Sequence, residues 1–263
     1  LGRDCPRVVM ADHEKQNYGI IFGVPIVGLH SQGYGNTTFF VHGRSGDGAA
    51  TDYGVTGGGW YSYRATSAYA NLFADKSGAT DTRALFKTSK YGTSASQLAI
   101  ADLSNFDQGL HVKKYVNIRT DGAKVSDPTG YFADIDFPVF RLSEMYLIYA
   151  EATLRGGGGN LATALGYLNL IRARAYGSTT MGQIVQGDLT LQFVLDERGR
   201  ELYWEGHRRT DLVRYNLLTT GTYLWPWKGG VASGTAVDSK YNLFPVPASV
   251  IASNPNLTQN PGF

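Results

Sequence analysis

Four consecutive glycines at 156–159 cut a helical pattern in two. Ahead of them Leu142, Met145, Tyr146, Tyr149 and Leu154 recur at helical spacing; behind them Leu161, Leu165, Leu168 and Ile171 do the same. Glycine has no side chain to restrict its backbone, so a helix cannot run through such a stretch. Two one-sided helices joined by so short a link cover their apolar stripes by folding back on each other. The pattern therefore predicts an antiparallel hairpin of the tetratricopeptide type. No second copy recurs at a fixed period.

A third helix is expected from an N-cap at Thr190 to Gly206, and a fourth over 208–216. The chain then closes with a short strand at 243–245, a helical turn near Ser249 and an Asn/Pro-rich tail. The first half reads differently. Apolar runs broken by glycine and proline at 18–29 predict one or two strands, and 37–42 and 111–118 each predict another. A glycine-rich loop fills 43–59, and Ala65, Ala68, Tyr69, Leu72 and Phe73 mark a one-sided helix within 62–74. The fold class expected is mainly α with long irregular loops and a few short β-strands. Residues 1–263 are expected to form a single region. A loop-rich layer, 1–136, meets a helical layer, 137–263, through a polar, turn-rich stretch at 121–137.

Charge excludes one class of partner. With 24 basic and 22 acidic residues the net charge is +2, without the basic block that nucleic-acid binding needs. Cys5 is the single cysteine, which rules out an internal disulfide and a multi-cysteine zinc site. The residues before Cys5 are too few and too polar for the apolar region of a signal peptide, so LGRDC is not expected to be a lipidation site. The longest apolar stretch, 20–29, is interrupted by Gly23, Pro25 and Gly28 and falls well short of the roughly 20 residues that span a bilayer. A low charged fraction, 17%, with 33 Gly and 17 Tyr, suits a loop-rich surface facing neutral polar ligands.

Chemistry-bearing residues concentrate in LDERGRELYWEGHRRTDLVRY. Glu197, Glu201, Glu205 and Asp211 could in principle flank a glycosidic bond as acid and base. Arginines stand beside each of them, however: Arg198, Arg200, Arg208, Arg209 and Arg214. A neighbouring guanidinium keeps a carboxyl ionised and works against proton donation. An ion-pair network joining helices is the expectation, with Arg198 reaching Glu201 and Glu201 reaching Glu205 or Arg208. Arg141 and Glu144 start a helix, and Glu151 should pair with an arginine in 171–174. The five histidines make no metal or triad pattern. No cofactor is expected; calcium is the one metal to consider, at Asp12, His13 and Glu14 or at Asp134 and Asp136.

Aromatic residues in loops carry the ligand expectation. A sugar ring has an apolar C–H face that stacks on a flat side chain, while polar neighbours take its hydroxyls. Trp225 and Trp227 flank a proline in a Gly/Thr-rich connection. Trp60, Tyr61 and Tyr63 follow three glycines, with Tyr53 and Tyr34 in nearby loop sequence. These seven are the expected ligand-binding residues; Trp204, placed mid-helix, is expected in the core.

Three motifs stand in order: R-L-S-E…Y-A-E-A from Arg141, E-R-x-R-E-L-x-x-E-G-x-R-x-x-D-L-x-R from Glu197, and N-P-N-L-T-Q-N-P-G at the end. Together they resemble the C-terminal region of the SusD/RagB family. Weaker likenesses lie upstream, in Trp60, in Asp81 to Arg83 and in Lys114–Tyr115. Gly199 inside the ERGREL helix departs from the pattern, as does a final PGF in place of PGY. The resemblance implies a nutrient-binding outer-membrane lipoprotein, not an enzyme, that holds a glycan and passes it to a SusC-like TonB-dependent transporter. It also implies that the family's N-terminal half, with its signal peptide, lipid-bearing cysteine and most of its helical hairpins, is missing here. The rival readings are a glycoside hydrolase using the acids of 197–211, and a structural partner of the transporter that touches no ligand.

Overall fold

The computed structural model describes residues 10–12, 19–43, 50–60, 62–86 and 94–263. The chain forms two compact units, Leu1–Gly206 and His207–Phe263. The fold is mainly helical with a small two-stranded sheet.

In the first unit β1 (Ile20–Val24) pairs antiparallel with β2 (Phe137–Arg141), Ile20 opposite Arg141 and Val24 opposite Phe137, across two register shifts. Pro138 is tolerated because the ladder is two strands wide and already irregular there. Between the strands, among the described residues, lie the short helices α1 (Thr37–His42), α2 (Ser67–Ala70) and α3 (Ala95–Leu98). Arg141 ends β2 in extended backbone and is also the N-cap residue of α4 (Leu142–Leu154).

The expected hairpin is present. Helix α4 and α5 (Leu161–Tyr176) are joined through Gly156 and Gly158, both at positive φ, and Gly157 N–H caps the Ala152 carbonyl at 2.8 Å. Asn160 caps α5 by accepting from Thr163 N–H, and Gly177 ends it in the left-handed region. Leu147, Ala150, Ala164, Leu168 and Ile171 form the core of the pair, which Val194 and Leu202 of α6 (Leu191–Leu202) complete. Thr190 caps α6 as expected, accepting from Phe193 N–H at 3.1 Å. Gly199 is buried within α6. A second core gathers Val41, Tyr53, Val55, Tyr115, Ala133 and Ile135, and a third centres on Phe73, Phe86, Leu110 and Tyr203.

The first half departs from the sequence reading in three places. Residues 37–42 are a helix rather than a strand: Asn36 accepts from Thr38 N–H, and the Thr37 and Thr38 hydroxyls bond the Ile135 carbonyl and Ala133 N–H. The helix of 62–74 shrinks to α2 because Ala65 exchanges both backbone hydrogen bonds with Leu110, fixing the preceding residues as extended chain. Residues 111–118 form isolated bridges, Phe86 with Val112 and Met10 with Val116, and no strand.

In the second unit α7 (Arg208–Arg214) replaces the longer 208–216 helix, and α8 (Ala248–Ser253) supplies the turn expected near Ser249. The strand at 243–245 is not formed. Backbone pairing next to it is taken by a side chain: Gln259 accepts from Val246 N–H at 2.8 Å and donates to the Val246 carbonyl at 2.9 Å.

Candidate functional site

The charge-dense motif of α6 faces inward. Glu197, Glu201 and Glu205 are all buried, and most of their partners come from distant segments rather than from the same helix. Arg83 donates to Asp81 at 2.7 Å, to Glu197 at 2.8 Å and to Glu201 at 3.3 Å. Arg141 bonds Glu201 and Glu205, each at 2.6 Å, and Lys114 bonds Glu205. From α5, Arg172 reaches Glu197 at 2.9 Å and Arg174 reaches Glu201. Arg200 pairs with Glu197 at 2.7 Å. Arg198 lies 3.7 Å from Glu144, and Glu151 pairs with Arg155 one turn on.

Burial alone would raise the carboxyl of Glu197, but Arg83, Arg200 and Arg172 outweigh it and hold the group at about 2. Burial likewise opposes ionisation of Glu201 and Glu205. Arg174, Arg141 and Arg83 overcome it at Glu201, which lies well below the usual range, and Arg141 and Lys114 do so at Glu205. A glycosidase acid must carry a proton and reach its substrate. These three acids stay ionised and sealed, so the cluster holds the helices together and is not built for bond cleavage.

A ring cluster lies elsewhere in the same unit, around Trp60. Its backbone N–H donates to the His42 carbonyl at 2.7 Å, which ties the glycine-rich loop to the end of α1. The His42 ring stacks on two others, 4.8 Å from Trp60 and 4.4 Å from Tyr131, which lie 6.5 Å from each other. Its two nitrogens lie 2.8 Å from the Gly58 and Tyr131 carbonyls, so the ring sits against both loops. Gly57 permits the approach: a Cβ there would sit 2.4 Å from the Tyr131 ring. Tyr34, 60% exposed, stands 5.9 Å from Trp60 and 6.1 Å from Tyr131. Exposed Phe39 closes the other side, 6.0 Å from Trp60 and 5.6 Å from Tyr63. The result is a wall of aromatic faces fixed by backbone hydrogen bonds, the form of surface that a sugar ring stacks on.

Of the seven expected ligand residues, Trp60, Tyr63 and Tyr34 meet in this cluster. Tyr53 does not join them: it is 1% exposed, packed in the core, and presents no face. Tyr61 lies outside the described residues. Trp225 and Trp227 belong to the second unit. Trp225 lines an open cleft of about 770 Å3 there, while Trp227, held at a positive φ of 68°, is not among the cleft residues. Trp204 is not mid-helix but beyond the end of α6, also at positive φ, where it packs edge-on to Tyr63. His42, Tyr131 and Phe39 were missed. Their spacing along the chain is irregular, and only the folded loops bring them together.

Three of the acids considered for calcium accept from backbone N–H groups. Asp136 accepts from Ile26 N–H at 2.8 Å, Asp134 from Gly28 N–H at 2.7 Å, and Asp12 from Thr120 N–H at 3.0 Å. His13 and Glu14 lie outside the described residues. Among the described residues no group of three His, Cys, Asp or Glu is placed to hold a metal.

Residues 83–263 match the SusD family. The chain belongs to that family. The Starch-binding protein SusD of Bacteroides thetaiotaomicron is 42% identical over 185 residues, which are 70% of this chain and 31% of that protein. The chain thus spans under a third of this curated relative. Among solved structures, Surface glycan-binding protein A from Bacteroides thetaiotaomicron superposes with a TM-score of 0.70 at 21% identity, over 99% of this chain and 55% of that one. The same protein in complex with laminarihexaose gives 0.70 at 22%, with the same coverage. A SusD superfamily protein from Bacteroides fragilis gives 0.62 at 26%, over 100% and 55%. The matched SusD-family segment begins at Arg83, so the ion cluster falls inside it apart from Asp81, and the Trp60 cluster lies largely upstream.

Proposed function

We propose that this chain is a non-catalytic glycan-binding component of a SusC/SusD-type uptake complex, which captures oligosaccharide at the cell surface and delivers it to a TonB-dependent transporter. One observation carries the glycan part: in a SusD-family chain, Trp60, Tyr34, Tyr131 and Phe39 form a rigid, partly exposed ring wall. The starch-binding relative and the laminarihexaose-bound neighbour support the same reading. Burial of Glu197, Glu201 and Glu205, with their carboxyls held below the usual range by neighbouring cations, supports a role without turnover. The transporter partner and a lipid-anchored, outer-membrane location follow from the family resemblance. Among the described residues no helix is long and apolar enough to cross a membrane.

The test is titration calorimetry with maltohexaose and laminarihexaose on the wild-type chain and on Trp60→Ala, alongside a reducing-end assay. Binding without new reducing ends, weakened at least tenfold by the substitution, is expected. Hydrolysis abolished by Glu201→Gln would overturn the reading. Binding untouched by Trp60→Ala would move the site elsewhere. Co-purification with a SusC-like transporter, in the absence of any sugar affinity, would leave only the structural-partner role.

A further inference from the structure

The cleft in the second unit has a charge character unlike the Trp60 wall. Residues 207–263 hold five Lys and Arg against two Asp and no Glu, a net of +3 in a chain whose total is +2. Two of those cations, Arg209 and Lys228, line the cleft. Lys228 is 3% exposed, and its ammonium donates to the carbonyls of Thr220 at 2.6 Å, Tyr223 at 2.7 Å and Leu217 at 3.4 Å. It lies 4.6 Å from the centre of the Trp225 ring, and burial pulls its proton affinity down. No carboxylate answers it among the described residues.

Arg209 is fixed just as firmly and is also without a carboxylate among the described residues. Its Nη2 donates to the Tyr241 carbonyl at 2.7 Å and the Leu243 carbonyl at 3.3 Å, and the guanidinium lies 3.8 Å from the centre of the Phe244 ring. These contacts leave Nε and Nη1 unengaged by the protein, and neither is a buried atom lacking a partner. Nε and Nη1 each remain a single charge-assisted donor, a ready partner for one oxygen of a carboxylate or sulfate. Around it Phe244 is 68% exposed, Tyr241 49% and Phe263 40%, a large apolar area to leave in water. The acid that lines the cleft, Asp238, accepts from Lys240 N–H at the start of a turn.

We propose that this cleft is a second saccharide subsite, selective for a sugar ring that carries an anionic group, a carboxylate or a sulfate ester. Arg209 donates to the anion from Nε or Nη1, Lys228 adds positive field from beneath Trp225, and the exposed rings receive the C–H face of the sugar. The proposal rests on the glycan-binding reading but on different residues, so each can fail alone.

The experiment titrates the whole chain with trigalacturonate, a sulfated trisaccharide and maltotriose, at 50 and 500 mM sodium chloride, with sodium sulfate as the non-sugar control. Binding of an anionic trisaccharide at least tenfold tighter than maltotriose is expected. It should weaken at least tenfold in Arg209→Gln, weaken with salt, and persist in Trp60→Ala. The two anionic sugars decide between carboxylate and sulfate. Arg209→Lys, which keeps the charge but not the planar guanidinium, should give an intermediate loss and serves if the Gln variant fails to fold. Equal affinity for all three sugars, unchanged affinity in both Arg209 variants, or sulfate ion alone binding as tightly as the sugars would each overturn the proposal.

Discussion

Replacing Glu201 by Gln removes one negative charge and almost no volume from the ion cluster. The carboxylate is fully buried and accepts from Arg141 at 2.6 Å, from Arg83 at 3.3 Å and from Arg174. An amide keeps one acceptor oxygen but turns an NH2 group toward guanidinium donors, so at least one arginine loses its partner. Removing one member of a buried ion pair costs about 3–5 kcal/mol, because the surviving charge stays desolvated. Solvent screening does not soften that figure here, since Glu201 and Arg83 have no exposed side-chain surface. In a unit of this size each kcal/mol is worth roughly 2–4 °C, so the melting temperature should fall by about 6–20 °C. Urea denaturation at pH 7, followed by circular dichroism, measures the loss directly. A loss below about 1 kcal/mol with an unchanged slope would mean that the cluster is hydrated in solution and that its burial has been misjudged.

Acid should unfold the first unit for the same reason. Glu197 falls from an ordinary value near 4.5 to about 2 on folding, so its contribution is complete above about pH 4.5 and disappears as pH drops toward 2; circular dichroism against pH should place most of the transition in that window. Thr190→Ala removes the cap on Phe193 N–H and should cost about 1 kcal/mol by the same urea assay. His42→Phe removes the ring nitrogens that face the Gly58 and Tyr131 carbonyls, and should cost about 1–3 kcal/mol while loosening the Trp60 wall, read as a change in tryptophan fluorescence. Gly234→Ala would place a Cβ 2.5 Å from the Trp225 carbonyl at a φ of +81°; it should lower stability by about 1–3 kcal/mol and weaken anionic-sugar binding by calorimetry, sparing neutral glycans.

The long helices were legible because their signals are local. Glycines 156–159, the cap at Thr190 and the apolar period of 161–171 all act within a few residues, and the structure follows them. The inward turn of the ERGREL face was legible only in outline. Its acids clearly had arginines for company, but the partners chosen, Arg83 at 114 residues and Arg141 at 60, belong to the folded chain and leave no mark at short range. The loop half was read worst. Thr37 and Thr38 look like strand residues, yet their hydroxyls satisfy backbone groups near residue 134, and the helix wins. Tyr34 and Trp60 could be named as loop rings, while their company, His42 and Tyr131, could not, because hydrogen bonds spanning 16 and 89 residues assemble that group.

The ion cluster also constrains how the first unit can come apart. Its charges arrive from separate stretches: Asp81 and Arg83, Lys114, the end of β2, α5 and α6. Detaching any one of them leaves a carboxylate or a guanidinium inside without its counterpart, a penalty comparable to a sizeable fraction of a domain's whole stability. Partly opened forms are therefore raised in energy relative to both the native and the fully unfolded chain. The loops around Trp60 can fray above this lattice, but the segments that meet in it should open and close as one unit, with a single hydrogen-exchange rate shared by the backbone amides of α5 and α6.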